Sequence, residues 1–246
     1  MALDRAGIAY FRVNPNRARD FARAAGYLAK TDAIDARMLA AFGRAIALKP
    51  AEAIDPVRER LASLNARRDQ LVGIRADEKK RCLQTYACDL RDGIERHIAW
   101  LDAEIRTLDN AMKELIASSL ELQQARDVLE SAPGVGPITA ITLLAQMPEL
   151  GHRPAKVIAA LAGLAPINND SGERRGKRSI KGGRRRVRIA LYMAALSAIR
   201  KVPRFNEAYK AIAARSGSAK VAIIAIARKL LVALNAMLRA NAHFQA

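Results

Sequence analysis

One run of apolar residues constrains the fold of this chain more than any other feature. From Ile94 to Leu115, apolar residues recur at alternating intervals of four and three over about three heptads. The positions between them are largely charged, and the earlier stretch from Val57 to Leu71 steps in the same way. This spacing predicts a long antiparallel coiled-coil hairpin over residues 51–126, which is also a candidate surface for dimerisation.

The rest of the composition also favours helices. Hydrophobic residues make up 51% of the 246 residues and aromatic residues only 4%, so Ala, Leu and Ile supply most of the apolar surface. These residues are better helix formers than the β-branched and aromatic residues that dominate sandwiches and barrels. The chain is long enough to bury a full core. We therefore expect a mainly α protein.

One short strand is expected near the start of the chain, over Gly7–Val13. Asn14-Pro15 ends it, because proline cannot continue a β-ladder. A single strand is unstable alone, so it is expected either to join a sheet from another chain or to belong to a sheet whose other strands are missing here. Helices follow, first over Asn16–Ala25 and then from Lys30 onward.

Two carboxylates lie at the start of that second helix. Asp32 and Asp35 are three residues apart, so both project from one helix face. Such a pair can hold a hard divalent cation such as Mg²⁺. Acidic residues in a first helical turn also complement the helix dipole, and Asp32 could be a simple N-cap. On spacing alone, the second interpretation is favoured.

The segment Leu129–Ala140 has the form of half a helix-hairpin-helix element. A helix end is followed by Gly134-Val135-Gly136 and by a new helix that Pro137 opens. Proline suits a first helical turn, and glycine permits unusual backbone angles. The alternative is an ordinary tight connection between helices. The full spacing favours a phosphate-binding helix start, with Gly134 and Gly136 at the contact.

A basic, glycine-rich segment, Asn168–Arg188, carries much of the charge. Between Ser171 and Arg188 there are nine basic residues and one acidic residue, which leaves +8 of the chain's net +18. Such density repels itself unless a polyanion neutralises it. A solvated loop is the commoner meaning of a charge run, but apolar helices frame this one, including a predicted helix over Val187–Arg200. We therefore predict a phosphate-binding loop formed by Arg174, Arg175, Lys177, Arg178, Lys181, Arg184, Arg185, Arg186 and Arg188.

Other features narrow the class of protein. The two cysteines, Cys82 and Cys88, do not form a disulfide framework, which is typical of a reducing cytoplasm. The most apolar run, Val221–Leu238, is interrupted by Arg228 and Lys229, so it is predicted to be an amphipathic helix rather than a membrane span. We expect a cytoplasmic protein with nucleic acid as its partner and no membrane.

Three stretches together resemble one family. They are VNPNRARDFARAAGYLAKTDAIDARMLAAFG, then APGVGPITA, then LAGLAP followed by DSGERRGKRSIKGGRRRVRIALYMAAL. In this order they are similar to insertion-sequence transposases of the IS110 type, and the resemblance covers nearly the whole chain. It implies the C-terminal remnant of an RNase H-like DEDD domain (1–50), the coiled-coil hairpin (51–126) and a helical transposase domain (127–246).

The resemblance also implies a chemistry. Members are DNA recombinases that a structured RNA guides, and they are expected to act as homo-oligomers. The motif KTDAIDA places the last two DEDD acids at Asp32 and Asp35, which now favours Mg²⁺ binding over capping. The motif SGxxxGKRxIxGGRxxxR places a nucleophilic serine at Ser171, which otherwise could be a turn residue.

One departure from the family pattern affects the expected activity. The first Asp and the Glu of DEDD belong to strands that precede AGIAYFRVNP, and this sequence starts after them. The start is therefore expected to be misplaced, or the chain to be a truncated relic, or another chain to supply the missing half. The leading hypothesis is a transposase with a serine nucleophile and Mg²⁺-binding aspartates. The alternative is a non-catalytic protein that binds nucleic acid.

Overall fold

The computed structural model describes residues 3, 6–11, 13–27, 31–46, 55–168, 176 and 178–245. Within these ranges the chain forms ten helices and one two-stranded sheet, which confirms a mainly α protein. The described residues fall into two compact units, Met1–Asp55 and Pro56–Ala246. In chain order the elements are α1 (Pro15–Ala24), α2 (Asp32–Ala45), α3 (Pro56–Gln84), α4 (Cys88–Ala117), α5 (Leu120–Glu130), α6 (Pro137–Gln146), α7 (Ala155–Leu161), β1 (Pro166–Ile167), β2 (Ser179–Ile180), α8 (Arg185–Lys201), α9 (Pro203–Ser216) and α10 (Ala219–Ala240).

The first unit is a pair of capped helices. The Asn14 side chain accepts a hydrogen bond from the backbone NH of Asn16 at the start of α1. The Thr31 hydroxyl accepts one from the backbone NH of Ile34 at the start of α2. Phe21 of α1 meets Phe42 of α2 edge to face, with ring centroids 5.1 Å apart. Caps of this kind stabilise a helix by about 1 kcal/mol each.

The strand expected over Gly7–Val13 is not formed. The described residues there are a turn at Gly7 and an irregular extended segment, and α1 begins directly after Asn14. A strand persists only where a neighbour accepts its backbone hydrogen bonds. No described residue pairs with this segment in a sheet. Its RNase H-like origin stays a prediction.

Helices α3 and α4 run antiparallel along their length. Arg68 pairs with Asp109, and Arg75 pairs with Asp102 nearer the turn. Because the partners come closer in sequence toward Thr85, the two helices fold back on one another there. These pairs lie in the outer half of the hairpin, where the buried cluster is small and consists of Leu71, Leu101 and Ile105. Leu101 and Ile105 of the expected heptad thus pack with Leu71 of the partner helix, with Leu108 beside them, whereas coiled-coil packing stays a prediction.

The base of this hairpin enters a larger core. Leu61, Leu64, Met112 and Ile116 belong to the same buried cluster as the apolar residues of α5–α10. The division at residue 126 into a hairpin and a transposase domain stays a prediction. The shared core means that the hairpin is anchored in the bundle that carries the basic segment.

Helix α10 lies at the centre of that bundle. By length and composition it could cross a membrane. Ile226, Leu230 and Leu234 are nevertheless fully buried against the other helices, and the helix also carries Arg228 and Lys229. Since the core helix of a soluble bundle has these same properties, its packing here favours that interpretation.

Candidate nucleic-acid interface

A small β-hairpin flanks the basic segment. Pro166 pairs with Ile180 and Ile167 with Ser179, in antiparallel register. In the sequence, Ser171 lies between these two strands. Ser171, Arg174, Arg175 and Lys177 are outside the described residues, so their predicted roles stay predictions.

The expected loop ends earlier than residue 188. Helix α8 begins at Arg185, so Arg185, Arg186 and Arg188 belong to its first turn. Val187 and Leu191 are fully buried in the core. Because burial of this apolar stripe stabilises the helix, the helix begins before Val187. A helix start is the positive end of the helix dipole, which favours anions there and disfavours cations. The arginines at the start of α8 add their charges to that of the dipole, so the positive field at this end is strong.

Arg184 is held by a carboxylate. Its two terminal nitrogens lie 2.6 and 2.7 Å from the two carboxylate oxygens of Glu149, a bidentate pair. Burial by itself would raise the pKa of Glu149. The hydrogen bonds from Arg184, with the charges of Arg184 and Arg153, outweigh that effect and hold this pKa below its usual value. Arg184 therefore positions the start of α8, and its predicted contact with nucleic acid would have to compete with Glu149.

Two further arginines of the segment also have partners in the protein. Arg186 lies 3.3 Å from the carboxylate of Asp69 in α3. Arg188 donates a 2.7 Å hydrogen bond to the carbonyl of Gly182. The sequence patterns do not reveal the pair between Arg186 and Asp69, because Asp69 is distant in the chain. The contacts favour a structural role for both arginines.

Three cations of the segment point to solvent instead. Arg178, Lys181 and Arg185 are exposed, and none makes an ion pair with another residue in the described ranges. We call Arg178, Lys181 and Arg185 the exposed cation trio. Since they have no carboxylate to displace, they are the described cations most available to a phosphate backbone.

A crossing of two glycines fixes this region against α7. At Gly183, with φ +69°, an added Cβ would meet the backbone of Gly163, and it would lie 2.7 Å from the carbonyl carbon of Ala162. The Arg184 NH donates a 2.8 Å hydrogen bond to the Leu161 carbonyl. Glycine is therefore needed at 183 because the chain packs closely on its own backbone there, rather than because a partner approaches.

The two glycines of the predicted phosphate site differ. Gly134 has φ +90° and packs so closely on α8 that an added Cβ would lie 2.9 Å from the Ala198 nitrogen and closer still to the Ala194 carbonyl oxygen. Gly136 has an ordinary φ of −96° and precedes Pro137 as the N-cap of α6. The expectation of an unusual angle is confirmed at Gly134 and wrong at Gly136. Phosphate binding at this helix start stays a prediction.

The aspartates are placed differently from one another. Thr31 is the N-cap of α2, so Asp32 is the first helical residue rather than the cap. Asp32 is exposed, whereas Asp35 is half-buried and lines a cavity of about 660 Å³ beside Arg19 and Arg23. In the described ranges, no three His, Cys, Asp or Glu residues cluster as a metal site. Binding of Mg²⁺ by Asp32 and Asp35 stays a prediction.

These features define a helical protein with a cationic surface suited to a polyanion. Residues 126–210 match the transposase IS116/IS110/IS902 family, and residues 1–86 match the DEDD transposase profile of the IS110 group. The chain belongs to this transposase family, whose substrate is DNA.

Named relatives extend the comparison. The pilin gene-inverting proteins of Moraxella bovis and Moraxella lacunata are each 32% identical, over 94% of this chain and 73% of the relative. A 43.6 kDa protein of the insertion element IS110 from Streptomyces coelicolor is 31% identical over 55% of this chain and 34% of its own length. The resemblance that the sequence motifs indicate is therefore confirmed.

Proposed function

We propose that this chain is a DNA recombinase of an insertion sequence, in which Ser171 is the nucleophile and a basic surface holds the DNA backbone. The observation that carries the proposal is the exposed cation trio: Arg178 and Lys181 lie on either side of β2 next to the Ser171 segment, and Arg185 begins α8 beside the Arg184–Glu149 ion pair. Family membership supports it. The pilin gene-inverting proteins of Moraxella also support it, because gene inversion is a DNA recombination.

The chemistry is a phosphoryl transfer. The Ser171 Oγ forms a bond to phosphorus, the bond from phosphorus to one DNA oxygen breaks, and that oxygen leaves as a DNA hydroxyl with a proton. The hydroxyl proton of Ser171 passes to a base. A serine hydroxyl is a weak nucleophile without such help. The neighbouring cations stabilise the charge that develops on the phosphate oxygens.

Asp32 and Asp35 are the proposed ligands of Mg²⁺. When bound, this ion supplies charge neutralisation at the phosphate. Asp35 is the better-placed ligand, since its half-buried carboxylate lies at a cavity rather than in open solvent. Arg19 and Arg23 beside it can hold a phosphate oxygen or balance the carboxylate when the ion is absent.

The proposed partners are the element-end and target DNA, a structured guide RNA and further copies of this chain in the cytoplasm. The net charge of +18 supports binding of more than one polyanion. In the proposed assembly, the antiparallel hairpin of α3 and α4 joins copies, and the connection between α5 and α6 acts as a helix-hairpin-helix element by which the bundle binds DNA.

A second candidate is a protein that binds nucleic acid without cutting it. The observation that favours it is the small number of metal ligands, since Asp32 and Asp35 are joined by no third carboxylate in the described residues. Two acids position Mg²⁺ loosely, and a displacement of about 1 Å can lower a rate roughly 100-fold.

Cleavage of labelled element-end DNA, with guide RNA and Mg²⁺, separates the two candidates. The recombinase should cut only with the metal, and the double variant Asp32→Asn/Asp35→Asn should bind DNA with unchanged affinity yet lose cleavage. Asp20→Asn/Asp55→Asn is the matched control for charge. Binding without any metal-dependent cleavage would favour the second candidate.

A further inference from the structure

Helix α10, which lies beside the basic segment, has two apolar faces. A helix that is partly exposed to solvent normally has one. Its first face is the core face. Its second face lines a cavity of about 730 Å³ between α10 and the β-hairpin, and the apolar floor of this cavity consists of Leu164, Ile180, Val221, Ile224, Ala225 and Val232.

Four cations surround this floor, and none of the described residues that line it is acidic. They are Arg178, Lys220, Arg228 and Lys229. Lys220 and Lys229 are exposed on α10, one on each side of the apolar stripe, and Arg178 belongs to the exposed cation trio. The cavity is therefore continuous with the proposed DNA surface, and its apolar floor lies close to positively charged side chains. Such a surface favours an anion that also carries apolar faces.

An adjoining cavity of about 330 Å³ extends the groove toward α8. The two cavities share Ile180, Lys220 and Ile224, and the second adds Tyr192 and Ile189. The side chains of Ile189 and Val221 are about half exposed, at 50% and 52%. A groove that leaves this much apolar surface exposed is unusual, and such surfaces often mark binding sites. Tyr192 provides an aromatic ring on which a base can stack. We call these two joined cavities the α10 groove.

We propose that the α10 groove binds an unpaired DNA strand, with bases against the apolar floor and phosphates on the surrounding cations. Duplex DNA presents phosphates and sugars outward and keeps its bases stacked inside, so it cannot use the floor. An unpaired strand exposes base faces, and proteins bind such strands by combining a cationic groove with stacking surfaces. The inference rests on the proposed function for the choice of DNA, since strand exchange must separate strands.

The test compares short oligodeoxyuridine with a duplex of the same length, measured by fluorescence anisotropy. All measurements use the full chain with Ser171→Ala and EDTA, so that no strand is cut and the outcome is independent of the nucleophile. Val221→Asp places a charge on the floor at an exposed position. Leu83→Asp, at 81% exposure in the hairpin, adds the same charge elsewhere.

Val221→Asp should weaken oligodeoxyuridine binding by about tenfold or more and duplex binding by less than about threefold. Leu83→Asp should affect both equally and weakly. The double variant Lys220→Gln/Lys229→Gln should also weaken single-strand binding more than its control Lys113→Gln/Lys210→Gln. This pair tests the groove if Val221→Asp fails to fold.

Three results would overturn the assignment. Equal losses for the single strand and the duplex would mean a general electrostatic surface. Tighter binding of oligouridine than of oligodeoxyuridine, with the same sensitivity to Val221→Asp, would assign the groove to RNA. A change of sedimentation mass in Val221→Asp without a change in oligonucleotide affinity would assign it to self-association.

Discussion

Replacing Gly134 with alanine should destabilise the whole bundle. Two costs add at this position. A residue with a Cβ in a left-handed conformation costs about 1–2 kcal/mol, and Gly134 has φ +90°. The new Cβ would also overlap the backbone of α8 at Ala194 and lie 2.9 Å from the Ala198 nitrogen.

Backbone atoms cannot move aside as a flexible side chain can. Forcing extra atoms into packed regions typically costs about 1–3 kcal/mol, so the sum for Gly134→Ala is about 2–5 kcal/mol. For a chain of this size, each 1 kcal/mol lowers Tm by about 2–4 °C. We therefore expect a fall of roughly 4–20 °C.

Gly136→Ala is the matched control, two residues along the same turn. Its φ of −96° suits alanine, and an added Cβ meets no atom within 4 Å. Only the weaker N-cap propensity of alanine remains, a cost below about 1 kcal/mol. Thermal melting by circular dichroism measures both variants. If Gly134→Ala melts within 2 °C of Gly136→Ala, the close approach of this turn to α8 is not a property of the folded protein.

Two more predictions concern the basic surface. Changing the exposed cation trio to Gln should make the slope of log K against log salt for duplex DNA shallower by about 2–3; a slope equal to that of the control Lys113→Gln/Lys201→Gln/Lys210→Gln would contradict its role. Because the pKa of Glu149 is lowered on folding, its carboxylate stabilises the protein above its unfolded pKa of about 4.3, and that contribution disappears as the pH falls through the folded value. Glu149→Gln should therefore lower the unfolding free energy by about 1–2 kcal/mol at pH 7, a reduced value because the pair is partly exposed. Urea titrations should find that this difference shrinks as the pH falls below about 4.3, and a difference that does not change with pH would contradict the ion pair as its source.

Local patterns in the sequence predict most of the helices. The spacing from Ile94 to Leu115 sets which side of α4 faces α3, because each turn of a helix repeats the same geometry. The apolar run of α10 likewise predicts an amphipathic helix, and one side of that helix is buried in the core. These elements need no information from distant residues.

Features that depend on distant residues are not predictable in this way. A strand at Gly7–Val13 requires a neighbour for its hydrogen bonds, and the residues of that segment cannot reveal whether one exists. Arg184 and Arg185 are adjacent in one run of arginines, yet only Arg184 meets Glu149, 35 residues earlier. Only the packing of α8 against the rest of the bundle separates arginines that hold the fold from those that face solvent.

In the proposed recombinase chemistry, Ser171 becomes covalently linked to DNA. The most direct measurement incubates the full chain with labelled element-end DNA, guide RNA and millimolar Mg²⁺, since two carboxylates hold this ion weakly. Nuclease and trypsin digestion with mass spectrometry then identifies the residue that carries a nucleotide.

We expect a nucleotide on the peptide that contains Ser171, and we expect Ser171→Ala to lose it while DNA binding is retained. Ser179→Ala, in β2 of the same basic segment, is the control and should keep the adduct. An adduct that survives Ser171→Ala would assign the nucleophile elsewhere. DNA that binds but never becomes attached would contradict the recombinase chemistry.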